Sequence, residues 1–176
     1  MPTLTIARPA EGEFAPHYAP YVARVPEGDL AATLAAQPMM LDRLLGGLDE
    51  PRALFRYAEG KWSVKEVVGH LADVERIFAC RLLRVSRGDA TPLPGFDEDA
   101  YVAAAGFDRR PLRGLLDEFA ALRAANLHLV RAVEPGAWTR AGTANGKPVS
   151  ARALAWIMAG HVLHHAAVLE ERYLAR

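Results

Sequence analysis

Apolar residues recur at three- and four-residue intervals over four long stretches of this chain, and alternating patterns are almost absent. The first stretch is "DLAATLAAQPMMLDRLLGGL", residues 29–48, which Asp29 can cap and Gly46–Gly47 can end. Pro38 falls inside it and predicts a kink or a break, because proline lacks the amide that a helix needs there. The second opens at "SVKE", where Ser63 and Glu66 have the spacing of a capping box. Val64, Val67, Val68, Leu71, Val74, Phe78 and Leu82 then repeat at helical period until Arg87–Gly88. The third starts at Pro111, a residue favoured in a first turn, and carries Leu112, Leu115, Leu116, Phe119, Leu122, Leu127 and Val130. The fourth runs from Ser150 to about Leu174.

Four long amphipathic stretches predict an all-α protein, a four-helix bundle over residues 29–176. A connection of more than twenty residues, "GDATPLPGFDEDAYVAAAGFDRRP", separates the second and third helices and predicts a long crossover loop. "PGAWTRAGTANGKPVS" reads as a loop before the last helix. Seven of the 12 prolines precede residue 52, so residues 1–28 are expected to form an extended N-terminal arm laid over the bundle.

Composition narrows the function classes. A length of 176 residues fits one domain with a real core. The 21 basic and 21 acidic side chains cancel, which argues against a nucleic-acid partner. Cys80 is the single cysteine, so no intrachain disulfide forms and a reducing cytoplasm is the expected home. The N-terminus lacks the apolar core of a signal peptide, and no apolar run approaches the ~18 residues of a membrane span.

The chemistry concentrates in "GHVLHHAAVLEERYL", residues 160–174. His161 and His165 are four apart, so on a helix they share one face, about 40° apart around the axis. Two neutral imidazoles at that spacing can hold one metal ion, and a third ligand must come from elsewhere. His70, on the stripe of Val67 and Val74, is the candidate. Gly69 and Gly160 each precede a histidine, at a cost of ~1 kcal/mol in a helix, which points to close packing beside the site. His164 lies to one side and is expected to orient a neighbour or touch another helix, while His17 and His128 have no such company. The same spacing also fits three histidines satisfied by backbone or carboxylate partners in a polar seam. Val162 follows His161, so the helix carries no HExxH glutamate, and the chain lacks the Glu-x-x-His pairs of di-iron bundles. Asp73 and Glu75 either orient an imidazole or pair with Arg76, Arg81 or Arg84 on a solvated face.

The joint pattern "KWS…GHLAD.ER", then "LPGFDEDAY", then "GH..HH" resembles the DinB-like superfamily from about Pro26 to Leu174. It is most similar to the branch of metal-dependent hydrolases and bacillithiol-transferase-like proteins. The resemblance implies a four-helix bundle with an unusual crossover, often a homodimer. It also implies a divalent metal ion, zinc or nickel first, held by His70, His161 and His165.

Three histidines leave a fourth position open, as catalytic metal sites do. That position takes water, whose pKa a zinc ion lowers to ~7, or a thiolate sulfur. The expected function is therefore metal-dependent hydrolysis or transfer of a low-molecular-weight thiol onto a small-molecule substrate. The competing class is a non-catalytic metal- or ligand-binding bundle of a stress response. The motif supplies no general base. Asp97, Asp99 and Tyr101 in "FDEDAY" are the candidates, against a plain turn-and-cap role for the two aspartates. Trp62, Trp138 and Trp156 are expected to anchor core or loops, and Cys80 to be a small buried hydrophobe.

Overall fold

The computed structural model describes residues 6–175. Seven α-helices occur among them: α1 (Ala19–Arg24), α2 (Leu30–Leu45), α3 (Glu50–Ala53), α4 (Val64–Ser86), α5 (Glu98–Ala105), α6 (Leu112–Arg131) and α7 (Ala151–Val168). α7 continues as a π-helical turn over Leu169–Leu174. The four long helices form the bundle. α2 packs on α6 and α7, and α4 packs on α6 and α7. The order around the bundle is therefore α2, α6, α4, α7, with the successive long helices α2 and α4 on a diagonal.

The caps lie where side-chain chemistry places them. Asp29 accepts from the Ala32 amide at 3.0 Å. Ser63 and Glu66 exchange both bonds of a capping box, at 3.0 and 2.8 Å. Ser150 accepts from the Ala153 amide at 3.1 Å. Pro111 sits one residue earlier than expected, as the N-cap of α6.

Pro38 does not break α2, which stays helical through Leu45. Proline leaves the carbonyl four residues back without its helical donor. Here that carbonyl belongs to Leu34, and the Arg123 guanidinium donates to it at 3.2 Å. A side chain of α6 replaces the missing amide.

The N-terminal segment departs from an extended arm. Pro16 and Pro20 stand in the first turns of a 3₁₀ turn (Pro16–Tyr18) and of α1, where a missing N–H costs nothing. Arg8 donates to the Val22 and Val25 carbonyls at 2.6 and 2.8 Å and so closes the end of α1. α1 packs along α7.

The connection after α4 contains α5 and a 3₁₀ turn over Phe107–Arg109. The segment before α7 is a hairpin, not a loop. Strands β1 (Ala141–Ala144) and β2 (Lys147–Ser150) pair antiparallel across Asn145–Gly146. Both turn residues have positive φ, 51° and 69°, the signature of the Asn-Gly hairpin turn. Leu93 clips the crossover to this hairpin through bonds with Thr143 and Asn145 at 2.8 and 2.9 Å.

The apolar interior divides into two clusters. Between them lies a layer of buried polar side chains, one or two from each long helix: Gln37, His70, Glu75, Arg123 and His161. The histidine site belongs to this layer.

Candidate metal centre

α4 and α7 present His70, His161 and His165 to one another. The Nε2 atoms of His70 and His165 each lie 3.1 Å from Nε2 of His161. One ligand atom from each of the three falls within 4.8 Å of the other two. Zinc–nitrogen bonds of about 2.0–2.1 Å in a tetrahedron put ligand nitrogens about 3.3 Å apart, so the observed spacing fits a shared cation. A seam of neutral imidazoles bonded to one another fits less well, since each ring has only one proton to share between its two nitrogens. No carboxylate bonds these three nitrogens among the described residues.

Burial keeps the imidazoles uncharged. It pushes His70 down to about 4 and His165 down to about 3. It drives His161 well below the usual histidine range, helped by the repulsion that a proton there would meet from His165, His70, His164 and the Arg123 cation. Uncharged rings expose the lone pairs that a metal needs.

The two glycines have specific neighbours. A Cβ on Gly160 would overlap the carbonyl of Tyr21, and one on Gly69 would overlap the Phe107 ring. Close packing beside the histidines is therefore real, but the partners are α1 and the 3₁₀ turn. His164 meets another helix, its ring 5.0 Å from that of Tyr21. Its Nδ1 is buried without a hydrogen bond among the described residues.

The histidines form the floor of a cavity of about 260 Å³. Tyr18, Tyr21, Trp62, Phe78 and Arg81 wall it, with Asn145 from the hairpin turn. Burial raises the pKa of both tyrosines, so their hydroxyls stay protonated donors. Trp62 is a cavity wall as well as an anchor, its ring 4.6 Å from His70. Trp156, by contrast, is a core anchor that donates to the Ile6 carbonyl at 3.1 Å. Trp138 is buried in the same core cluster.

The other candidate residues fall in several places. Asp97 is the N-cap of α5, accepting from the Ala100 amide at 3.0 Å. Tyr101 is half exposed, with its ring 5.2 Å from Phe96. Asp99 lines a second pocket together with His164 and His165. Asp97, Asp99 and Tyr101 are all absent from the walls of the cavity over the three histidines. Glu75 neither touches an imidazole nor pairs with Arg76, Arg81 or Arg84. It binds Arg123 through two bonds, at 2.7 and 2.8 Å, deep between α4 and α6. Asp73 does pair with Arg76, at 3.5 Å. Cys80 is exposed, because it shares the outward face of α4 with Arg76, Leu83 and Arg87. His17 is not solitary but lines the cavity with Tyr18 and Tyr21. Sequence reasoning missed Tyr18, Tyr21 and Asn145, which no local pattern marks. Arg81 could have been found: it follows His70 by three helical turns, on the same face.

Comparison with known proteins agrees with this picture. No curated protein sequence matches the chain. The solved structure of YfiT from Bacillus subtilis, described as a probable metal-dependent hydrolase with an unusual four-helix bundle topology, superposes with a TM-score of 0.75. The two are 18% identical, and the match covers 94% of each chain. A mycothiol-dependent maleylpyruvate isomerase superposes with a TM-score of 0.64 at 21% identity, over 83% of this chain and 61% of that one. At these identities the likeness is one of fold. The model of one sequence family matches residues 33–169, most of the chain, and with the bundle order and the GH motifs in place, this protein belongs to the DinB superfamily.

Proposed function

We propose that this protein is a metal-dependent enzyme that transfers a low-molecular-weight thiol onto a small electrophilic substrate. The observation that carries the reading is the convergence of three uncharged imidazole nitrogens on one point at the floor of a cavity. His70, His161 and His165 would hold a divalent ion, zinc or nickel by ligand type. Bound there, the ion supplies Lewis acidity and favours the anionic form of a thiol or of water at neutral pH.

The chain's own groups favour the first of these two chemistries. Among the described residues the one carboxylate lining the cavity is Glu98, which is exposed. Tyr18 and Tyr21 are held protonated and can donate, but cannot act as bases. Such a site suits a nucleophile that needs no buried base. The thiol's proton passes to solvent, sulfur bonds to the electrophilic carbon, and the leaving group departs with the electron pair of the broken bond. Tyr18 and Tyr21 donate to a developing negative charge, while Trp62 and Phe78 exclude water. Hydrolysis is the second reading, favoured by the likeness to the Bacillus subtilis protein. A cytoplasmic homodimer belongs to the same proposal. The exposed Met39 on an apolar strip of α2 with Ala35, Ala36 and Met40 offers it a face.

The test begins with elemental analysis of tag-free protein purified without a nickel column. About one equivalent of zinc or nickel is expected, and almost none in His161→Ala/His165→Ala. The loaded protein is then assayed with chlorodinitrobenzene plus a panel of small thiols, and with nitrophenyl esters. Thiol-dependent chloride release lost in the double variant supports the proposal. Ester hydrolysis without thiol turnover moves it to the second reading. A folded parent that takes up no metal overturns both.

A further inference from the structure

Arg81 is the feature the metal site does not use. It is buried, 5% exposed, yet no carboxylate lies within ion-pair distance of it among the described residues. Its guanidinium donates to the Pro94 carbonyl, at 2.7 Å, and to the neutral Tyr18 hydroxyl, neither of which carries a counter-charge. Burying a guanidinium without a counter-charge is costly, so an unpaired one facing a cavity calls for an anion. Arg81 faces two. It lines the cavity above the histidines, and also an adjoining recess of about 20 Å³ that Lys147 lines as well. That recess has room for one small group, and Asn145 adds an amide to both spaces. Glu98, the nearest acid on the cavity walls, stands exposed at the mouth and leaves this inner end electropositive.

The placement relative to the histidines sets the ligand's shape. Val74, Phe78 and Arg81 continue the helical stripe of His70 along α4. The Phe78 ring stands between the two ends, 6.0 Å from the His161 ring and 5.8 Å from the Arg81 guanidinium carbon. A ligand reaching both must lie along this aromatic wall.

We infer that Arg81 is the anchor for a carboxylate of the substrate, so that the cavity takes a small organic acid whose apolar body lies on Phe78 and whose reactive end meets the histidines. The guanidinium fork matches the two oxygens of a carboxylate, and Asn145 supplies a further donor. The inference rests on reading this cavity as the active site, but its test does not depend on turnover.

The probes are 3-phenylpropionate and its neutral amide, titrated calorimetrically into zinc-supplemented full-length protein at pH 8. The acid should bind about tenfold more tightly than the amide, the gain expected of a charge-assisted fork. Arg81→Met should erase that preference while keeping amide binding, and Arg81→Lys should retain part of it. His161→Ala should keep the preference, because the anion does not bind at the histidine end. Thermal melting separates anchoring from support: Arg81→Met should melt no lower than the parent, since it removes a buried unpaired charge. Equal binding of acid and amide by the parent, or an acid preference that survives in Arg81→Met, overturns the inference. So does a preference lost in His161→Ala and kept in Arg81→Met. Failure of zinc uptake alongside an Arg81-dependent preference would remove the enzyme reading and leave the anion site standing.

Discussion

Gly160 shows how much a single residue carries at this site. Its missing Cβ is where the Tyr21 carbonyl passes, so α1 can bring Tyr18 and Tyr21 over the histidines only while this position stays bare. Gly160→Ala adds one methyl where nothing can yield cheaply. Overpacking of that kind costs about 1–3 kcal/mol, more than the ~1 kcal/mol that alanine returns in helix propensity. The variant should melt lower than the parent. Gly114→Ala is the control: it is helical too, with open space around it, and should be neutral or stabilising by up to about 1 kcal/mol. Urea titration of both checks the contrast. At this scale the sequence was informative about the histidines, because period and phase place His70, His161 and His165 on facing surfaces. It was silent about the groups around them. Tyr18 and Tyr21 come from a segment whose prolines read as extended, and Asn145 from a turn whose spatial neighbour is Gly95 in the crossover. Cys80 misled for a simpler reason: cysteine is usually buried, and only the phase of α4 turns this one outward.

At the scale of elements, the unbroken α2 rests on a side chain from another helix. Arg123 answers the Leu34 carbonyl that Pro38 orphans, and also binds Glu75 and the Gln37 side chain. Gln37 in turn donates to the Ala159 carbonyl of α7 at 2.8 Å. One buried cation thus ties all four long helices. Arg123→Met would leave Glu75 buried without its cation, at a cost of about 3–5 kcal/mol. Pro38→Ala restores an amide facing Leu34, so it should help more in the Arg123→Met background than in the parent, by about 1 kcal/mol. A double-mutant cycle measures this coupling, and additive effects would show that the helix tolerates Pro38 for another reason. No local rule could have read this rescue, since Arg123 lies 85 residues from Pro38. The N-terminal segment is fastened in a second way. Glu13 accepts from Arg152 at 2.7 Å and from the Ser150 hydroxyl at 2.6 Å. The Arg152 bond, opposed in part by burial, holds the Glu13 carboxyl down at about 2 from an ordinary 4.5. A depressed folded pKa means stability that is fully present above pH 4.5 and lost as pH falls toward 2. Glu13→Gln should therefore cost stability at pH 7, no more than about 1 kcal/mol for a pair this near solvent, with the gap closing across that window. Denaturation at stepped pH reads it directly.

At the scale of the molecule, the four helices were legible and their arrangement was not. Amphipathic stripes give each helix its inward face, but they do not say which faces meet. Neighbours in sequence usually become neighbours in space, whereas α2 and α4 stand on a diagonal. That arrangement gives α4 and α7 a shared seam, and the polar layer crosses the bundle at their histidines. The layer divides the apolar core in two, and its two halves are not equally self-sufficient. Gln37, Glu75 and Arg123 satisfy one another. Among the described residues the three imidazoles bond only to one another, with His161 shared between the other two. An ion held there would join α4 to α7 and complete the layer, so loading should show as stability of the whole bundle. A ligand at a thousand times its dissociation constant adds about 4 kcal/mol when it binds the folded state alone. Zinc should raise the melting temperature of chelator-treated parent protein and leave His161→Ala/His165→Ala unmoved. His164→Ala should respond like the parent, because His164 faces Tyr21 and not the shared point. Scanning calorimetry with and without zinc makes the comparison. A parent that gains nothing from zinc while remaining folded would make the imidazole cluster a feature of packing, and the gap between the two core clusters would then need another occupant.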